Sequence, residues 1–156
     1  MIQRVQTLYM LAGVVLAVVL LFIPIAGFTL GSGEQFRYSL TDYPSFVGSG
    51  VDRGVLLTPL VATLLVAVVL LITIFLYRNR RLQRKLLLVS VVINLSTLGG
   101  VFYASDQISQ LSRVVSEKAA YSLGAYIPLL ILVFIVLANN GIRKDEKLIK
   151  SADRIR

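Results

Sequence analysis

Four long apolar stretches alternate with short polar stretches along the chain. They cover residues 8–28, 55–77, 86–104 and 121–140, and none of them contains a charged residue. At a rise of 1.5 Å per residue, about 20 residues cross the roughly 30 Å hydrocarbon core of a bilayer. The pattern therefore predicts an all-α membrane protein, a bundle of four transmembrane helices that forms a single membrane domain over residues 1–156.

The first apolar stretch, 8–28, is predicted to remain as a membrane anchor. A cleaved signal peptide has an apolar region of about 7–15 residues followed by a small-residue cleavage site. This stretch is longer and ends in "IPIAG", which fits such a site poorly.

The distribution of Lys and Arg predicts the orientation of the bundle. The segment "RNRRLQRK", residues 78–85, holds five cations. Together with Arg4 and the segment 141–156, it brings one side of the bundle to twelve Lys and Arg, against four on the other side. Because cytoplasmic flanks are enriched in Lys and Arg, we expect the 78–85 turn and both termini to be cytoplasmic.

These cations have two interpretations. They serve as a topology anchor alone, or they also contact anionic lipid headgroups or a partner protein. The candidate contact residues are Arg78, Arg80, Arg81, Arg84, Lys85, Arg143, Lys147, Lys150 and Arg154.

The segment between the first two spans, 29–54, is predicted to be a periplasmic loop with a short β-hairpin near 28–40. Phe36, Tyr38 and Leu40 alternate with polar residues after a "GSG" turn signal, which is the period of a strand. The alternative is an irregular loop that covers the end of the bundle. A hairpin would also leave an edge that a partner extends by strand addition.

Two further segments outside the spans have helical patterns. Ile108, Leu111 and Val115 fall on one face of 105–120, which predicts an outer amphipathic helix or an extension of the third span. The segment 141–156 follows "NNG", a helix-stop signal. It is predicted to be a separate, basic amphipathic helix at the cytoplasmic side, lying on the membrane surface, on a partner or in solvent.

One polar face lies inside the third span. Ser90, Asn94 and Thr97 follow the spacing i, i+4, i+7 and therefore share a side of the helix. Such residues commonly form hydrogen bonds between transmembrane helices. The alternative is a face that contacts a ligand or a partner helix.

Residue types that carry chemistry are scarce. The chain has no Cys and no His, which excludes Cys-ligated zinc, iron–sulfur clusters and His-ligated haem. We find no glycine-rich phosphate loop, no GxSxG and no paired acids in a span. We therefore expect no catalytic residue, cofactor or metal. Nucleic-acid binding is not expected either, since the net charge of +8 comes from cations that flank apolar runs.

Several pieces of the sequence resemble a known family. They are "MIQRVQTLYML" at the start, "YRNRRLQ" before the third span, "YIPLLILVFIVLA" in the fourth, and above all the ending "GIRKDEKLIKSADRIR". The chain is similar over its full length to a domain-of-unknown-function family of small four-helix integral membrane proteins from the bacterial phylum Bacteroidota. The resemblance implies a bacterial inner-membrane location and the same four spans. It implies no activity, partner or catalytic residue.

The sequence supports two functional hypotheses. The first is a non-catalytic accessory or scaffold subunit that binds other integral proteins in a larger assembly, such as a protein-export or respiratory complex. The alternative is a small transporter, or a protein that binds a lipid or another hydrophobic ligand through the polar face of the third span.

Overall fold

The structure, a computed structural model, describes residues 3–77, 79–111 and 119–153. Within this part of the chain most residues are helical. The helices are α1 Gln3–Leu20, α2 Ser45–Gly50, α3 Arg53–Phe75, α4 Arg80–Ser109 and α5 Ile127–Asp153, and a 3₁₀ turn, Leu123–Tyr126, precedes α5. Three short strands are also present: β1 Ala26–Thr29, β2 Gln35–Tyr38 and β3 Ala120–Tyr121. The mostly helical character and the short β-hairpin were both predicted, and the connections between the helices form a small sheet that contains this hairpin.

The four long helices pack as a ring in which α1 and α4 each contact both α3 and α5. Neighbouring helices run antiparallel. The Gln83 side chain at the start of α4 reaches Thr73 at the end of α3, whereas Gly100 near the end of α4 lies against Pro59 near the start of α3. The buried residues of α3 and α4 recur at short helical intervals, mostly every three or four positions, as expected when one face of a helix packs on its neighbours.

The apolar residues of the bundle fall on both its inner and its outer surfaces. On α5 the buried side chains recur at helical spacing: Ile131, Ile135, Ala138 and Ile142. Large apolar side chains between them are exposed on the outside, which is typical of helices that face lipid. Among the described residues, three helical segments are long and apolar enough to cross a membrane, Arg53–Phe75, Arg80–Ser109 and Leu123–Lys144, and a shorter apolar helix covers Val5–Leu20.

A three-stranded antiparallel sheet closes one end of the bundle, which we call the sheet end. Its strand order is β2-β1-β3, so it joins the α1–α3 connection to the α4–α5 connection. The predicted β-hairpin is confirmed, with Ala26 opposite Tyr38 and Thr29 opposite Gln35. Beneath it, the ring of Phe36 stacks on Phe28 at 5.1 Å between centroids. An apolar layer thus lies between the sheet and the ends of the helices.

The first predicted span, 8–28, ends earlier than its apolar run. Helix α1 stops at Leu20, and Ala26–Thr29 is the central strand β1. Pro24 has no N–H to continue a helical ladder, and its carbonyl accepts a hydrogen bond from Gly124 N at 3.2 Å. The next residue, Ile25, donates to Tyr38 O at 2.7 Å. Pairing with the sheet therefore replaces the last helical turns.

The predicted turn at 78–85 is also shorter than expected. Helix α3 ends at Phe75 and α4 begins at Arg80, so most of the basic cluster is helical. Asn79 caps α4 by accepting a hydrogen bond from Leu82 N at 3.2 Å, a role that Asn favours. At its other end α4 continues to Ser109, which confirms the extension of the third span up to that residue, and Ala120–Tyr121 is strand β3. Residues 112–118 lie outside the described part.

The helix stop predicted at "NNG" was wrong. Helix α5 continues through this sequence to Asp153, so the segment 141–153 is not a separate helix. A side chain at Gly141 would place its Cβ 2.9 Å from Gln6 Cγ. This glycine therefore allows α5 to pack closely against α1 and does not end the helix.

Candidate functional site

The polar face of α4 lies in the interior of the bundle. Ser90, Asn94 and Thr97 are each no more than 1% exposed. Asn94 makes the contact between helices: its Nδ2 donates to the backbone oxygen of Pro128, in the first turn of α5, at 2.8 Å. We call these three residues the polar seam.

The other two members of the polar seam bond within their own helix. Ser90 Oγ donates to Leu86 O at 3.0 Å, and Thr97 Oγ1 donates to Ile93 O at 3.5 Å. Such back-bonding satisfies a hydroxyl in an apolar environment without a partner helix. The remaining acceptor, Asn94 Oδ1, is buried and has no hydrogen-bond partner among the described residues.

At the end of the bundle opposite the sheet, which we call the basic end, cations from two helices meet. An open pocket of about 280 Å³ lies between the first turns of α4 and the middle of α5. Its lining residues are Arg81, Arg84, Lys85, Leu88, Asn139 and Arg143. We call this feature the basic pocket. It brings together predicted contact residues that are more than 50 positions apart in the sequence.

The remaining predicted contact residues fall outside the basic pocket. Arg80 is half-buried, and its Nη1 has no hydrogen-bond partner among the described residues. Lys147 and Lys150 lie on α5, but their side chains are outside the described part, and so are the residues Arg78 and Arg154 altogether. The structure thus assigns a shared location to four of the nine candidates.

The profile of a family described as "Domain of unknown function (DUF4293)" matches residues 2–155. The chain belongs to this family. The resemblance to a domain-of-unknown-function family is thereby confirmed, while its four-helix character and its phylum stay predictions. No curated protein and no solved structure matches the chain. The DUF4293 match covers the polar seam, the basic pocket and the sheet, so all three features lie within the region that defines the family.

The DUF4293 chain holds a further interior polar residue that sequence reasoning missed. Gln83 falls within the predicted 78–85 turn, yet its side chain is buried and its Nε2 donates to Thr73 O at 3.2 Å. The signal was present in the sequence. Gln83 precedes Ser90 by seven residues, so the spacing of the polar seam extends backwards through the basic cluster.

The lining of the basic pocket was also incompletely predicted. Asn139 and Arg143 are four residues apart on α5 and therefore share a face. This spacing was hidden by the interpretation of "NNG" as a helix end. Read as a continuous helix, the sequence would have placed Asn139 beside the predicted basic contact.

At the sheet end of this DUF4293 protein one titratable side chain is unusual. Tyr38 is fully buried, and its hydroxyl has no hydrogen-bond partner among the described residues. Burial, with a smaller contribution from nearby Tyr43, raises the pKa of Tyr38 from 10.0 to about 12. The phenol is therefore neutral at physiological pH and contributes to the apolar layer beneath the sheet.

Proposed function

We propose that this protein is a non-catalytic integral membrane protein, an accessory or scaffold subunit of a larger assembly in a bacterial inner membrane. The observation that carries the proposal is the hydrogen bonding of the polar seam. Its one side chain that reaches another helix, Asn94, bonds to the backbone of the bundle itself. This arrangement supports a structural role for the seam, because a transport pathway would need its polar groups to face a passage.

A topology with four crossings and both termini in the cytoplasm belongs to this proposal. The pairing of β1 with β3 supports it, because the two connections that the sheet joins must lie on one side of the membrane. The ring of Phe102, near the end of α4, contacts Tyr121 of β3 at 5.1 Å between centroids. The start of α4, with its basic cluster, is therefore distant from the sheet, as the excess of Lys and Arg in cytoplasmic flanks requires.

The sheet offers a surface for a partner. Strand β2 lies at the edge of the sheet, and its alternate residues Gln35 and Arg37 are exposed. An exposed edge presents backbone N–H and C=O groups that can pair with a strand of another protein. We infer that an extracytoplasmic segment of a partner subunit adds to β2.

Site-specific crosslinking tests this inference cleanly, because the chain contains no Cys. We would introduce Gln35→Cys at the edge strand and, as a matched control, Ser45→Cys on an exposed position of α2 at the same end of the bundle. Both variants would be expressed at native level and treated in intact membranes with a short thiol-to-amine crosslinker.

The proposal predicts one discrete adduct with a membrane protein from Gln35→Cys and a much weaker one from Ser45→Cys. Equal yields from both positions, or no adduct from either, would contradict assembly through the β2 edge. Mass spectrometry of the adduct identifies the host complex.

A second candidate, a small transporter or a protein that binds a hydrophobic ligand, is favoured by one observation. The buried Asn94 Oδ1 has no partner among the described residues, and an unpaired buried acceptor is costly. A ligand with a hydroxyl or N–H donor would satisfy it. The variant Asn94→Leu separates the two candidates.

A further inference from the structure

The basic pocket has the composition of an anion site at the edge of a membrane. We propose that it binds the phosphate of an anionic phospholipid headgroup, with one acyl chain of that lipid lying along α4. This site does not depend on the proposed partner subunit or on the polar seam.

Helical spacing explains why the pocket forms. Along α4, four lining residues follow the spacing i, i+3, i+4, i+7 and therefore present one face: Arg81, Arg84, Lys85 and Leu88. Helix α5 completes the pocket with a pair spaced at i and i+4, Asn139 and Arg143. Two helices with continuous faces thus hold the cations at a fixed separation.

The charge of the pocket calls for an anion. Among the described residues that line it, four are cations and none is acidic. The cations Arg81, Arg84 and Lys85 also lie near the N-terminus of α4, whose first turn contains no acidic residue. Cations at this end of a helix are unfavourable because they face the positive end of its dipole. A phosphate between the two helices would offset both repulsions.

The surroundings of the pocket distinguish a lipid from a soluble phosphate. Leu88 lines the pocket, and Leu88, Val92 and Leu95 are 53%, 65% and 48% exposed. Their spacing of four and three places them on one side of α4, running from the pocket towards the middle of the bundle. An acyl chain attached to a phosphate in the pocket would cover this stripe. A soluble phosphate would leave it unused.

Topology alone does not explain the pocket. Orientation depends on how many Lys and Arg flank a span, and it does not require cations of α4 and α5 to converge. Two further open pockets, of about 500 Å³ and 380 Å³, lie at the sheet end, and each is lined by a single cation, Arg53 and Arg37 respectively. The concentration of charge therefore distinguishes this pocket from the two at the sheet end, as far as the described residues define them.

The test compares two double variants with equal loss of charge. Arg81→Gln with Arg143→Gln removes two cations from the pocket. Arg80→Gln with Lys144→Gln is the matched control, because it removes two cations from the neighbouring positions, which do not line the pocket. The full-length proteins in an uncharged detergent would be titrated with phosphatidylglycerol and, separately, with phosphatidylcholine of identical acyl chains. Native mass spectrometry counts the bound lipid, and circular dichroism verifies the fold.

We expect the pocket variant to bind phosphatidylglycerol about 25-fold more weakly, since each cation near an anionic lipid contributes about fivefold. We expect the control to stay within about twofold of the wild type, because its two cations do not line the pocket. Equal losses in both variants would overturn the proposal, because the charges would then act only as a diffuse field. Equal binding of the two lipids by the wild-type protein would overturn it as well.

A third arm uses the wild-type protein alone and so does not depend on any variant folding. Inorganic phosphate and glycerol phosphate are added in excess to the complex with phosphatidylglycerol. The proposal predicts that the lipid stays bound, because its acyl chain contributes to binding along α4. Complete displacement at millimolar concentration would assign the pocket to a soluble phosphate compound and overturn the lipid assignment.

Discussion

Replacing Asn94 by Leu separates the structural role of the polar seam from a ligand-binding role. Leu has the branched shape of Asn and the same number of side-chain heavy atoms, but its two methyl groups are larger than the amide O and NH₂ and cannot form a hydrogen bond. The change removes the 2.8 Å bond from Asn94 Nδ2 to Pro128 O. It also removes the buried Oδ1, which has no partner among the described residues.

The two hydrogen-bonding terms oppose each other, and the larger volume of Leu adds a third term. A hydrogen bond between transmembrane helices contributes about 0.6 kcal/mol on average and up to about 1.7 kcal/mol. Removing the unpaired acceptor offsets part of that loss of stability, because a buried oxygen without a hydrogen bond is destabilising. Pro128 O lies in the first turn of α5, where it also accepts from the helix. The larger Leu side chain adds a packing cost of about 1–3 kcal/mol at this buried position. We therefore expect Asn94→Leu to lower the free energy of unfolding by about 1–4 kcal/mol.

The assay is reversible unfolding in mixed micelles of dodecylmaltoside and dodecyl sulfate, followed by circular dichroism. Ser96→Leu is the control, because Ser96 is an exposed residue of the same helix. We expect it to leave stability unchanged within error. In parallel, small molecules that copurify with each protein are extracted and identified by mass spectrometry.

Two results would refute the reasoning. A loss of more than about 5 kcal/mol exceeds what one interhelical hydrogen bond and the larger side chain contribute together, so the seam would then have to contain interactions that the structure does not show. Loss of a copurifying ligand from a variant of unchanged stability would assign Asn94 to a binding site and favour the second candidate function.

Three further predictions concern the sheet end and the packing of α3 on α4. Tyr38→Phe should raise the free energy of unfolding by about 1 kcal/mol, because it removes a buried hydroxyl without a partner; an unchanged or lowered value in thermal unfolding would show that the hydroxyl is satisfied. Because the pKa of Tyr38 is raised to about 12 in the fold, its phenol ionises first in the unfolded chain, so stability should be constant below pH 10 and fall by about 2–3 kcal/mol between pH 10 and 12. Tyr38→Phe should lose that part of the alkaline decrease, and a decrease equal to that of the wild type would contradict the assignment. Gly100→Leu should destabilise by about 1–3 kcal/mol in the same assay, because a Cβ there lies 3.3 Å from Pro59. Its neighbour Gly99 has nothing within 4 Å of its Cβ position, so Gly99→Leu should be neutral or stabilising by about 0.5–1 kcal/mol, and equal effects at both positions would contradict the packing.

The helices were predictable from sequence because long uncharged runs leave few other structures in a membrane. The residues at which the helices end were harder to predict. An apolar run does not show where a helix ends and a strand begins, because residues such as Ala26 and Phe28 of strand β1 fit the apolar pattern of either structure. Helix α1 ends early because of Pro24 and because the residues after it pair with distant parts of the chain. A local sequence pattern contains no information about that pairing.

Tertiary contacts explain the other differences. Gly141 is typical of a helix end when taken with its local sequence, but here it allows α5 to approach Gln6 of α1. The sequence predicts the basic residues only as a group. Their division into a pocket and its surroundings depends on the rotation of α4 against α5, and only the packed bundle defines that rotation.

The most direct test of the proposed subunit role is the mass of the protein complex in native membranes. The protein, tagged and expressed at its natural level, would be purified in a mild detergent that retains lipid. Size-exclusion chromatography with light scattering then gives the protein mass, and mass spectrometry gives the stoichiometry. The account predicts a particle well above the 17.2 kDa of one chain, with larger membrane proteins present at fixed ratios. A monomer or homodimer that carries only lipid would contradict it.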